Sequence, residues 1–297
     1  MGKLGHMSKM SILWGETLMR NVFGLIVFLV LLLFISGCQS SNQGEVVLMP
    51  EDIAGDLKLL ANARVFFGHQ SVGKNIIKGL EIIDREVNDV DLAIFNYESY
   101  QADGKGCFLH TQVGKNKEPE SKCLDFGRII DQELSGKIDY ALLKLCYVDI
   151  SKESNVAKIF NDYRRTMDGL IARHPEITFV HATIPLMSIH GGIKSKLKEL
   201  LGIVDSRKLD NIKRNEFNEL LKTIYDNDPI VDIAESESTY PDGSREEFFI
   251  DGESYYSLVK DYTNDGGHLS EQGQMQVAKA FVQDIADIIR NKTITKD

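Results

Sequence analysis

The chain has little of several things. Four cysteines, six prolines and one tryptophan are spread over 297 residues. So few cysteines, with no CxxC and no Cys/His ligand spacing, exclude a disulfide-dense scaffold and give no support for a zinc site. Scarce proline and the absence of repeats exclude a low-complexity or solenoid architecture. Positive charge is in deficit: the net charge is −10, which argues against nucleic acid as a partner. The Val72-Gly73-Lys74 run lacks the spacing of a phosphate-binding loop. No cofactor is implied. The longest apolar run, Val22 to Ile35, falls short of the roughly 20 residues of a membrane span but suits the core of an export signal.

What is there begins with that signal. Lys3, Lys9 and Arg20 precede the apolar run, and Ile35-Ser36-Gly37-Cys38 follows it. The tetrapeptide resembles the bacterial lipobox, which implies acylation of Cys38 and removal of residues 1–37. Gln39 resembles the variant sorted to the outer membrane, so the expected location is the cell envelope, lipid-anchored, facing the periplasm or cell surface. Residues 38–55 then read as a tether, and 56–292 as one domain.

Within the domain, apolar strand-like runs alternate with amphipathic helices, the pattern of a parallel sheet covered on both faces. Strands are expected at 64–67, 91–96, 140–148, 178–183 and 230–233. Helices are expected at 72–87, 125–134 and 156–173, the last stopping before His174-Pro175. Residues 97–122 read as a long loop. Cys107 and Cys123 flank a stretch rich in Gly, Lys and Pro, and a disulfide closing it is expected. Cys146 reads as a core residue. Residues 187–225 read as a helical insertion or lid, with helices at 193–201 and 212–225. Residues 235–262 read as a surface loop.

Two motifs carry chemistry. Ser71 in Phe66-Phe67-Gly68-His69-Gln70-Ser71-Val72-Gly73 sits between a strand and a helix start, where backbone N–H groups and the helix dipole favour an oxyanion. A serine there can also be only an N-cap. Near the C-terminus, Asp265-Gly266-Gly267-His268 places a carboxylate three residues before an imidazole, able to orient it as a base.

First-strand serine, late Asp-x-x-His and the βα alternation resemble the SGNH/GDSL hydrolase superfamily from about Val65 to Ile289. Leu269-Ser270-x-x-Gly273 and Asn215-x-Phe217-Asn218 add to the likeness. The resemblance implies a three-layer α/β/α sandwich with a mostly parallel, about five-stranded, flavodoxin-like sheet. It also implies a Ser71–His268–Asp265 triad hydrolysing an ester, for example an acylated glycan, through an acyl-enzyme. Two departures stand out. His69-Gln70-Ser71 replaces the usual Gly-Asp-Ser. Cys146-Tyr147-Val148-Asp149 replaces Gly-x-Asn-Asp, removing an oxyanion-hole asparagine. Gly114 N–H and the Asn116 amide are candidate replacements, or an ordinary turn. His69 can reach the site, cap it or pack. Asp149, at the end of the central strand, can bind substrate or cap a helix. The missing asparagine leaves a glycan-binding or assembly module open, and O-acyl transfer shares the same intermediate.

Overall fold

A computed structural model of the chain describes residues 51–87, 90–190 and 204–294. The expected signal, Cys38, most of the tether and the expected helix at 193–201 lie outside them.

Six strands form one parallel sheet: β1 (Arg64–His69), β2 (Ile94–Asn96), β3 (Cys107–Gln112), β4 (Tyr140–Leu143), β5 (Thr178–Ala182) and β6 (Ile230–Val231). Their order is β2-β3-β1-β4-β5-β6. Without the short edge strand β2, this is the doubly wound order in which connections run opposite ways from the β1/β4 pair, leaving a crevice at its carboxyl ends.

Alternate residues of each strand feed opposite cores. Val65, Phe67, Phe108, Leu142 and Val180 join helices α1 (Glu51–Asn62), α2 (Ser71–Glu86) and α7 (Glu271–Ile294) on one face. Phe66, Leu109, Ala141, Leu143 and Phe179 join α3 (Pro119–Ile129), α4 (Val156–Arg173) and α5 (Ser206–Ile224) on the other. Both faces are covered, so the strands read as apolar runs. Each fully buried Phe or Leu stabilises the fold by about 1.5–3 kcal/mol. Local chemistry sets the helix ends: Asn155 Oδ1 accepts the Lys158 N–H to start α4, and Asp205 caps α5 through the Arg207 N–H.

Three expectations change. Residues 97–122 are not one loop, because β3 lies between β2 and β1 and α3 begins at Pro119. Residues 206–224 are not a lid, because Phe217 and Leu221 are wholly buried against the sheet layer. Residues 235–262 hold the end of α6 (Ile233–Ser238) and a hairpin, β7 (Glu247–Ile250) with β8 (Glu253–Tyr256).

One buried pair runs against the apolar rule. Lys144, just past β4, and Glu237, in α6, are both fully buried, and Lys144 Nζ and Glu237 Oε2 have no hydrogen-bond partner among the described residues. Burial pushes the Glu237 carboxyl up to about 8, against the Leu186 N–H and the Lys144 charge, which lower it. Burial likewise lowers the Lys144 ammonium. A raised acid stabilises the fold at low pH. From about pH 4.3, where the unfolded carboxyl ionises, that contribution falls until the folded group ionises too. Glu237→Gln is therefore expected to gain stability relative to the parent between pH 5 and pH 8 in urea unfolding. A pH-independent difference would contradict a neutral buried acid.

Candidate active site

The carboxyl end of β1 delivers Ser71. Gln70 is extended, with φ −133°, and makes no side-chain cap on α2. Its Nε2 instead donates to the carbonyls of Val113 at 2.7 Å and Gly114 at 3.0 Å. The glutamine thus braces the segment after β3 and leaves the first turn of α2 uncapped beside the half-buried Ser71. Free N–H groups at that turn give the serine an electropositive setting.

Asp265 and His268 are paired as their spacing suggests. His268 Nδ1 lies 2.6 Å from Asp265 Oδ2, and Asp265 Oδ1 accepts the N–H groups of Gly267 at 2.9 Å and His268 at 2.8 Å. Partial burial acts against ionisation, but the imidazole and the two N–H donors hold Asp265 down at about 2. A carboxylate at Nδ1 assigns the proton to that nitrogen and leaves Nε2 with a lone pair. The motif also docks on the serine's helix: Leu269 N–H donates to Asn75 Oδ1 at 3.2 Å. Asn75 is one turn beyond Ser71 on α2, so the serine and the Asp/His motif share one corner of the sheet's carboxyl edge.

The other expected site residues have different tasks. His69 is fully buried, and burial lowers its imidazole to about 3. Its Nδ1 lies 2.8 Å from the Gln70 carbonyl and its Nε2 3.2 Å from His110 Nδ1. It is a neutral packing residue, and Gly73 is glycine because a Cβ there would lie 2.3 Å from His69 Cβ. Gly114 N–H is already engaged, donating to Asp125 Oδ2 at 3.0 Å, so it is not an oxyanion donor. Its φ of +52° and the close Lys122 backbone explain the glycine. Asn116 Oδ1 accepts from Lys122 Nζ at 3.0 Å. Asp149 is no substrate ligand: its side chain is wholly buried against Lys122 Nζ at 2.5 Å. It also accepts the N–H groups of Cys146 at 2.7 Å and Lys117 at 2.8 Å. Residues 114–122 therefore form a brace tied to the end of β4. The expected disulfide is absent. Cys107 and Cys123 are free and buried, on β3 and α3, and burial raises the Cys123 thiol to about 12.

No family model and no curated protein matches the chain. Among solved structures, it is similar to a member of the lipolytic protein G-D-S-L family from Veillonella parvula, at 12% identity and TM-score 0.44, covering 74% of this chain and 95% of that one. A lipase/acylhydrolase from Enterococcus faecalis is 13% identical with TM-score 0.44, covering 76% and 96%. A carbohydrate esterase family 3 structure from Talaromyces cellulolyticus is 12% identical with TM-score 0.41, covering 77% and 99%. Such likeness leaves the chemistry to this chain's own residues.

One residue beside His268 had no sequence signal beyond being an aromatic at a strand end. The Tyr147 ring meets the imidazole edge-on at 5.9 Å, and a Cβ on Gly267 would lie 2.7 Å from Tyr147 Cζ. Arg214, in α5, fixes the tyrosine from behind. Its Nε donates to the Tyr147 carbonyl at 2.8 Å and its Nη1 to Asn211 Oδ1 at 2.7 Å.

Proposed function

We propose that this chain is a serine esterase or deacylase. The observation that carries the reading is the Asp265–His268 pair docked, through Leu269 and Asn75, on the helix that Ser71 opens. In this reading Ser71 Oγ attacks the ester carbonyl while His268 Nε2 takes its proton. The alkoxide leaves with that proton, forming an acyl-enzyme. Water then attacks the acyl group, again deprotonated by His268, and releases Ser71. Asp265 stays ionised throughout and stabilises the imidazolium.

Residues 1–37 act as the export signal and Cys38 carries the lipid, which fixes residues 56–292 to the envelope, at the outer membrane. The substrate is an acyl ester on an envelope or extracellular glycan, a choice supported by that location. Full-length protein with His268→Ala should lose about 10³-fold or more in p-nitrophenyl acetate turnover, and Asp265→Asn about 10²–10⁴-fold. Undiminished turnover in His268→Ala contradicts the reading.

A further inference from the structure

The departure from the family pattern leaves an oxyanion without its usual asparagine donor, and the Gly114 N–H, engaged by Asp125, does not replace it. The Asn116 side chain is held through its Oδ1 by Lys122 Nζ at 3.0 Å. Four residues past the end of β4, the Tyr147 ring lies against His268. Strands β1 and β4 are direct neighbours, with Gly68 opposite Leu143 and Lys144 N–H donating to the Gly68 carbonyl at 3.0 Å. Ser71 and Tyr147 follow those paired positions by three and four residues, at the same sheet end. The Tyr147 ring is buried in the cluster that contains Val72 and Leu269, the residues next to Ser71 and His268. Its position is over-determined: Gly267 leaves room for the ring, His268 flanks it and Arg214 holds its carbonyl. Its hydroxyl makes no hydrogen bond among the described residues and is not sealed in the interior. A fixed phenol beside His268, with no hydrogen-bond partner for its O–H among the described residues, is a donor in waiting.

We propose that the Tyr147 hydroxyl is a catalytic hydrogen-bond donor that stabilises the oxyanion formed when Ser71 attacks, in place of the missing asparagine. The inference rests on the Ser71 reading above. The phenol donates its hydrogen bond without giving up its proton, so no charge is transferred and the oxyanion collapses as in the uncatalysed sequence. Burial, then the Cys146 and Asp265 charges, push the phenol up to about 12, so it is a donor throughout the neutral range.

Tyr147→Phe removes the donor and keeps the ring that packs Gly267 and His268. In the full-length protein, kcat for p-nitrophenyl acetate should fall about 10²–10³-fold, the magnitude for one oxyanion donor, with KM within about threefold and the melting temperature near the parent's. A trifluoromethyl ketone, which forms a tetrahedral oxyanion on an active serine, should lose affinity by a similar factor. A purely structural role would not single out that ligand over the substrate's KM. Parent-like kcat and ketone affinity in Tyr147→Phe overturn the donor role and leave the Ser71 reading standing. A parent that neither turns over ester nor binds the ketone overturns both.

Discussion

Ser71→Ala is expected to reduce ester turnover by about 10⁴-fold or more while the chain stays folded. The alanine removes only an oxygen. Ser71 lies at the first turn of α2, whose cap is not a side chain, so little helix stability depends on the hydroxyl. If the serine were only a capping residue, the same change would cost about 1 kcal/mol of stability and no turnover. Thermal unfolding beside steady-state kinetics separates the two: loss of rate with a parent-like melting curve is the expected result.

The largest expected loss of stability lies in the brace. Lys122 and Asp149 form an ion pair whose side chains are both wholly buried. Asp149 also holds the Lys117 N–H, at a residue whose φ of +69° is strained for a lysine. Asp149→Ala leaves a buried ammonium without its counter-charge and frees the 114–118 turn. A cost of about 3–5 kcal/mol is expected in urea unfolding. Adding Lys122→Met should restore part of it, because the uncompensated charge is gone. Strictly additive losses would mean that the pair does not act as a unit.

Much of the fold was legible because its strands and helices carry their own periodicity. The expected helix at 156–173 coincides with α4, and strands expected at 64–67 and 178–183 differ from β1 and β5 by a residue or two. β3 was missed because Cys107–Gln112 alternates little and sits among Gly, Lys and Pro, so its two neighbours in the sheet decide its state. The hairpin was missed because its one buried aromatic, Phe248, stands next to the exposed Phe249, so no polar/apolar alternation marks the strand. At the site, the Asp265–His268 pair was readable because both residues fall within a single turn of chain. The roles of Gly114 and Asp149 were not, since Asp125 and Lys122 reach them from elsewhere in the sequence. Gln70 read as part of a nucleophile motif, yet its partners are carbonyls more than forty residues away. Tyr147 stood out in the sequence only as part of Cys146-Tyr147-Val148-Asp149, because the packing of Gly267 and Arg214 around it is what distinguishes it.

Activation of Ser71 by His268 is tested most directly by labelling the full-length protein with a fluorophosphonate, followed by mass spectrometry of the modified peptide. A single adduct on Ser71 is expected in the parent, a much slower reaction in His268→Ala and none in Ser71→Ala. An unmodified Ser71 in folded parent protein, or equal labelling with and without His268, would contradict it.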